Sequence, residues 1–159
     1  MSYKIINNFL DKEHLSVTQG LIFDTEFPWR RREELVTNAN DGIYFTHCFY
    51  NDMESTSPNF TTVIKPILIK LKCIAPIQIR SNMFISKLFK KSDFHTDYKN
   101  TKSKTALFYL NTCDGGTYIG DKFIPSIENQ ILLFDPSNSH QSTNCTDEKC
   151  RFNININYR

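Results

Sequence analysis

The sequence lacks the features that would send it to a membrane or out of the cell. No apolar run in its 159 residues is long enough to cross a bilayer, and no apolar signal segment stands at the N-terminus. The five cysteines are an odd number, so at least one thiol stays unpaired in any disulfide scheme. We therefore expect a cytoplasmic protein of a reducing compartment, with no membrane partner.

Strong charge, internal repeats and low-complexity runs are also missing. The formal net charge of +2 is too small to argue for nucleic acid as a partner by electrostatic attraction alone. A content of 40% hydrophobic residues is ample for one core. We expect a single domain over 1–159, in which 1–76 supplies an N-terminal strand, helices and an aromatic loop and 77–159 supplies a β core.

The residue patterns predict a mainly β protein with flanking helices. A strand over 3–6 precedes a helix that begins after Asp11 and runs to about Phe23, and a second apolar-periodic helix follows Pro58 and ends before Pro76. The aromatic segment 24–57 between them reads as irregular. Short alternating runs then predict eight strands, over 77–86, 94–98, 105–111, 116–119, 122–124, 130–134, 141–143 and 151–158. Eight short strands favour a double-stranded jelly roll with the helices packed on one sheet.

Two histidines and an aspartate form a candidate metal-binding set. His95 and Asp97 alternate along a predicted strand, so both can face one ion, whereas Thr96 points away. His140 follows a turn-rich stretch and can supply a third ligand. Two imidazoles and one carboxylate are the ligands that hold Fe(II) on one side and leave other positions open. The H-x-D pattern alone is weak, because an isolated histidine is more often an ordinary surface residue.

Arg151 is a candidate residue for binding a carboxylate. Its guanidinium presents a rigid fork of donors that pairs with a carboxylate, so a dicarboxylate could chelate the ion at one end and dock on Arg151 at the other. The stretch 151–158 alternates strictly between polar and apolar residues. One face therefore packs and the other, which includes Asn153 and Asn155, lines a polar cavity.

The order of these motifs resembles the 2-oxoglutarate and Fe(II)-dependent dioxygenases, within them the prolyl hydroxylase-like branch. The order of the motifs is H-x-D, then 105–111 (TALFYLN), 115–117 (GGT), 131–134 (ILLF), His140 and Arg151. In its compact form the chain looks most like small dioxygenases of marine bacteriophages, which would place it in the host cytoplasm. The resemblance implies roles for seven residues. The iron ligands would be His95, Asp97 and His140, the distal carboxylate of 2-oxoglutarate would meet Arg151 and Tyr109, and Asn153 and Asn82 would be further cosubstrate contacts, as in the nucleic-acid dealkylating branch.

The resemblance also implies a reaction. Fe(II), 2-oxoglutarate and O2, with ascorbate in a supporting role, would couple oxidative decarboxylation of 2-oxoglutarate to hydroxylation of a C–H bond of a prolyl or other amino-acid side chain, in a peptide or a free molecule. One alternative keeps the chemistry and takes an alkylated nucleobase as substrate, although the chain lacks the basic stripe with interleaved aromatics that grips single strands. Another is a non-catalytic jelly-roll protein that binds sugars or builds a virion. The sequence leaves the oligomeric state open.

Overall fold

The computed structural model describes residues 2–33, 42–97 and 102–159, and Met1, 34–41 and 98–101 lie outside it. The elements follow in chain order, with helices α1 (Lys12–Ile22) and α2 (Lys65–Leu71), a π-helical turn (Phe60–Ile64) leading into α2, and eleven strands among the described residues. These strands are β1 (Tyr3–Ile6), β2 (Arg30–Arg32), β3 (Tyr44–Asn51), β4 (Glu54–Ser55), β5 (Pro76–Ile85), β6 (Lys104–Tyr109), β7 (Cys113–Ile119), β8 (Lys122–Ser126), β9 (Gln130–Phe134), β10 (His140–Ser142) and β11 (Cys150–Tyr158).

The strands form two antiparallel sheets. The major sheet has the order β1-β9-β6-β11-β5-β3-β2, with β4 paired to β3, and the minor sheet has the order β10-β7-β8. Strands from before and after residue 76 share the major sheet, because β1 pairs with β9 and β3 pairs with β5. The expectation of a mainly β, jelly-roll architecture with few helices is confirmed. Within the described ranges, no helix is long and apolar enough to span a bilayer.

The helices cover one face of the major sheet. The Asp11 carboxylate caps α1 by accepting a hydrogen bond from the backbone N–H of His14 at 2.9 Å, as the sequence predicts. Buried apolar side chains of the helices then pack against those of the sheet and form the main core. They are Leu15, Ile22, Val63, Ile64 and Ile67 from the helices and Phe49, Ile79, Ala106, Phe108, Ile131, Ile154 and Ile156 from the sheet.

The opposite face of the major sheet is polar around β5 and β11. Residues that oppose each other on antiparallel strands project to the same side. The register therefore forms three rows on this face, with Phe84 beside Arg151, Asn82 beside Asn153 and Tyr109, and Arg80 beside Asn155 and Leu107. The expected polar side of 151–158 is confirmed. This polar side lies at the centre of the major sheet, so a cavity that it lines has further strands of the sheet on both sides.

Three local expectations are wrong. Within 24–57, residues 44–51 are not irregular but form the eight-residue strand β3, whose backbone pairs with β5. The segment 94–97 is no strand, since its pairing is limited to one bridge between His95 and His140, and Tyr98 lies outside the described residues. The strand predicted over 116–119 begins earlier, at Cys113, so Gly115 also lies inside β7.

Candidate metal centre

His95, Asp97 and His140 meet although only His140 belongs to a strand. The backbones of His95 and His140 exchange two N–H to C=O hydrogen bonds of 2.9 Å each. Two residues on, the N–H of Asp97 donates to the carbonyl of Pro136 at 3.1 Å. These bonds hold the irregular segment against β10 and the turn that precedes it, so the three side chains come together without a regular strand.

The three ligand atoms lie within 4.8 Å of one another. One carboxylate oxygen of Asp97, Oδ1, lies 3.5 Å from Nε2 of His140 and 3.9 Å from Nε2 of His95. The Nδ1 atoms of the rings each lie 3.0 Å from a backbone carbonyl, of Asp93 for His95 and of Asn138 for His140. A carbonyl only accepts, so each Nδ1 carries a proton and each ring turns Nε2 toward Asp97, where Nε2 coordinates a metal once it has lost its own proton.

The Asp97 carboxylate is held in its charged form. Burial alone would raise the pKa of Asp97, but the hydrogen bond from His140 and the charges of both imidazoles outweigh burial and hold this pKa below its usual value. Its second oxygen, Oδ2, is buried without a hydrogen-bond partner among the described residues. An unpaired buried carboxylate oxygen is costly, and a cation bound by this donor set would remove that cost. The residues present therefore fit a divalent metal ion.

A polar cavity of about 280 Å³ opens at the triad. Its wall includes the three ligands, Asn82, Asn153 and Asn155 of the polar sheet face, Arg80, Phe84, Leu107 and Ser142. Thr96 also lines it. Asn82 donates from Nδ2 to Oδ1 of Asn153 at 2.9 Å, so these two predicted cosubstrate contacts form one pair.

Arg151 lies deeper, fully buried between aromatic rings. Its guanidinium carbon is 4.9 Å from the ring centre of Phe84 and 5.8 Å from that of Tyr109. The guanidinium donates to the carbonyl of Thr143 at 2.5 Å and to Oγ1 of Thr117 at 3.4 Å, while Nε has no partner among the described residues. No carboxylate of the described chain pairs with it. A buried cation without a counter-charge is suited to receive an anionic group.

Sequence reasoning missed Thr117, which joins Arg151 to Tyr109. The phenol of Tyr109 donates to Oγ1 of Thr117 at 3.0 Å, and burial raises the pKa of this tyrosine, so the phenol stays protonated. Thr117 ends the G-G-T motif, the only available sequence signal for it. The roles of all seven expected site residues remain predictions.

A second group of possible ligands involves cysteines. Sγ of Cys113, Sγ of Cys145 and a carboxylate oxygen of Asp147 lie within 4.8 Å of one another. Burial raises the pKa of Cys145 to about 12, with a further contribution from Cys113, so both thiols are protonated at neutral pH. All five cysteines are free. Protonated thiols are poor ligands, which favours a packing role.

Solved structures share this fold at low sequence identity. A prolyl hydroxylase from Trichoplax adhaerens in complex with a hypoxia-inducible factor peptide has a TM-score of 0.73 at 17% identity, covering 98% of this chain and 82% of that one. A prolyl-4-hydroxylase from Pseudomonas putida has a TM-score of 0.69 at 10% identity, covering 99% and 92%. The epimerase SnoN of nogalamycin biosynthesis, solved with Fe3+, alpha-ketoglutarate and nogalamycin RO, has a TM-score of 0.66 at 13% identity, covering 98% and 78%.

These likenesses define the fold as the jelly roll of the 2-oxoglutarate and Fe(II) oxygenases, prolyl hydroxylases among them. No protein-family model and no curated protein matches the sequence. Identities of 8–17% carry the fold alone. The chemistry has to be argued from the side chains of this chain.

Proposed function

We propose that this protein is a 2-oxoglutarate and Fe(II)-dependent dioxygenase that hydroxylates a C–H bond of an amino-acid side chain, with a prolyl residue as the leading substrate. One observation carries the proposal. Two Nε2 atoms and one carboxylate oxygen converge at the mouth of a polar cavity, and a fully buried arginine without a counter-charge lies beyond it. The pairing of a cation site with an unpaired guanidinium suits a dicarboxylate cosubstrate.

Each residue then has a defined task. His95, Asp97 and His140 would hold the metal on one side, their rings fixed by the carbonyls of Asp93 and Asn138. Arg151, with the Tyr109 phenol beside it, would receive the distal carboxylate of 2-oxoglutarate. When bound, Fe(II) supplies the redox chemistry that couples 2-oxoglutarate and O2 to hydroxylation.

The rest of the site excludes water and orders the cosubstrate. Phe84 and Leu107 form apolar parts of the cavity wall and are 1% and 4% exposed. The Asn82–Asn153 pair offers its remaining amide groups to a bound molecule. No general base is needed for this reaction class, and the two neutral imidazoles are used as ligands.

Succinate release tests the proposal. Purified protein with Fe(II), 2-oxoglutarate, ascorbate and candidate prolyl peptides should form succinate, and Asp97→Ala should form none because it lacks the carboxylate ligand. Asp121→Ala is the matched control, since Asp121 is exposed in the turn after β7. Formaldehyde release from a methylated oligonucleotide would instead indicate that the substrate is an alkylated nucleobase. Failure to bind any divalent metal in calorimetry would leave a non-catalytic jelly roll.

A further inference from the structure

Arg80 lines the cavity, and the proposed reaction gives this side chain no role. It lies on β5, two residues before Asn82, and opposes Asn155 of β11 in the register. The side chain is only partly exposed. Its guanidinium makes no hydrogen bond or ion pair with the described residues. A partly desolvated guanidinium without a partner favours binding of an anion.

Arg80 lines the cavity, whereas Arg151 is buried beyond it, and the two lie in different rows of the sheet. Arg151 opposes Phe84 and Asn155 opposes Arg80, so four residues of β11, or about 13 Å of strand, separate the two rows. The Asn155 side chain lines the cavity with Asp97 and helps to lower the pKa of that carboxyl, so the Arg80 row lies on the triad side of the cavity. A cosubstrate running from the triad to Arg151 therefore extends away from Arg80. The Arg80 end is left for the second substrate.

Two more arginines share this face of the sheet. Arg30 of β2 opposes Thr46 of β3, and Thr46 in turn opposes Asn82, so the register puts Arg30 on the cavity side of the sheet. Arg32 follows on the same side, whereas Arg31 faces the other way and pairs with Glu33 at 3.0 Å. Two strand spacings, about 10 Å, separate β2 from β5. A single small carboxylate is too short to reach both strands, but an extended peptide can span them.

We infer that the second substrate is an acidic peptide, in which a carboxylate close to the reacting residue is received by Arg80 and a flanking one by Arg30 or Arg32. This inference rests on the proposed function for the identity of the site. A single-stranded nucleic acid also carries negative charge, but it is gripped by free aromatic faces. Apart from the two candidate ligand histidines, Phe84 is the one aromatic residue in the described cavity wall, and its ring is already covered by Tyr44 and Arg151.

Peptide binding to protein loaded with Zn(II) and 2-oxoglutarate tests the inference without turnover. The probes are acetyl-Glu-Pro-Glu-amide and acetyl-Gln-Pro-Gln-amide, followed through the side-chain Nε–H resonances of 15N-labelled arginine. The acidic peptide should bind at least about tenfold more tightly, the effect of one charge-assisted hydrogen bond. It should shift one arginine resonance that is missing in Arg80→Gln.

Variants separate the site from general charge attraction. Arg80→Gln should lose the preference for the acidic peptide and Arg80→Lys should keep part of it. Arg31→Gln, which removes the same charge on the opposite side of the sheet, should change nothing. Binding of 2-oxoglutarate should stay the same in all three variants, which also shows that they fold.

The remaining outcomes overturn the inference. Equal binding of the two peptides, no binding of either, or an unchanged preference in Arg80→Gln would remove the role of Arg80. Free L-glutamate binding as tightly as the acidic peptide, or an oligothymidylate binding in place of it, would replace the peptide by another class of anion. Failure of the wild-type protein to bind metal or 2-oxoglutarate would instead contradict the proposed function. Calorimetry measures these two affinities separately from peptide binding.

Discussion

A guanidinium that is 0% exposed and has no carboxylate beside it is expensive for a fold to keep. Arg151 satisfies part of its hydrogen bonding through Thr143 and Thr117 and places its flat faces near Phe84 and Tyr109. Burial lowers the pKa of this guanidinium, because desolvation disfavours its charged form. A bound dicarboxylate would offset that cost, which explains why the residue is kept in the interior.

Arg151→Met should therefore weaken 2-oxoglutarate far more than metal. Loss of a charge-assisted hydrogen bond costs about 1.5–3 kcal/mol, or roughly a 10- to 150-fold loss of 2-oxoglutarate affinity. The metal should bind almost unchanged because Arg151 contacts none of the three ligands. Calorimetric titrations of Zn(II) and then 2-oxoglutarate measure both, with the exposed Arg159→Met as control. An equal loss of both affinities would contradict the assigned role.

Asp114 shows a pH-dependent contact away from the cavity. Its carboxylate accepts hydrogen bonds from the backbone N–H and the hydroxyl of Thr146, and these lower the pKa of Asp114 to about 2. A depressed folded-state pKa stabilises the fold above the ordinary value of 3.8 and loses that effect as pH falls toward 2. Asp114→Ala should therefore unfold at lower urea concentration than wild type at pH 6, with a smaller difference at pH 3. A difference that grows on acidification would refute the contact.

The candidate ligand residues could be predicted from the sequence, but the groups that hold their side chains in place could not. His95, Asp97 and His140 stand at motif spacing, and Arg151 follows in order. The acceptors that fix the two imidazoles are backbone carbonyls of Asp93 and Asn138, which any residue type supplies. Thr117 and Arg80 depend on strand register, which pairs residues 34 or more positions apart and leaves no local signal.

At the scale of elements, β7 has no room for a side chain at Gly116. A Cβ added at Gly116 would lie 2.2 Å from the backbone oxygen of Ile124 on the neighbouring strand β8. The G-G-T motif is thus a steric requirement for close strand approach, followed at once by Thr117. Glycine marks both turns and close backbone contacts, so the sequence alone does not show that Gly115 belongs to the strand.

Gly116→Ala should destabilise the protein and weaken 2-oxoglutarate binding. Overpacking against backbone typically costs about 1–3 kcal/mol, and any shift of β7 moves Thr117 away from Arg151. Gly20→Ala is the matched control, since Gly20 lies inside α1 with no atom within 4 Å of an added Cβ. Alanine in a helix is favoured over glycine by up to about 1 kcal/mol, so this variant should gain stability. Urea unfolding compares the stability of the two variants. A Gly116→Ala protein as stable as wild type would show that β7 shifts to accommodate the added methyl group.

The two misread segments were predicted wrongly for opposite physical reasons. Residues 44–51 contain no glycine or proline and many β-forming side chains, but their mixed pattern shows no clean alternation because Tyr44 and Phe49, on opposite sides of the sheet, are both buried. The segment 94–97 shows the reverse. The H-x-D spacing predicted a strand, yet the backbone bonds of this segment to His140 and Pro136 amount to one bridge and not a ladder.

At the scale of the whole molecule, the two sheets are joined across the cavity by the side chains of the site. The triad links β10 of the minor sheet to the irregular segment, and Arg151 of the major sheet donates to Thr117 of β7. Ligands that bind these groups therefore hold the sheets together. A molecule that binds only the folded state stabilises it by mass action.

Metal and 2-oxoglutarate should accordingly raise the thermal unfolding temperature together. At a free concentration of 100 times Kd, a ligand adds about 2.7 kcal/mol, which for a chain of this size corresponds to roughly 5–11 °C. Differential scanning fluorimetry with Zn(II) and 2-oxoglutarate measures the shift, which EDTA should reverse. Asp97→Ala should show no metal-dependent shift, and Arg151→Met should keep the metal shift and lose the addition from 2-oxoglutarate. If 2-oxoglutarate stabilised the metal-free protein just as much, the ion and the cosubstrate would be occupying independent sites, and a shared centre between the sheets would be ruled out.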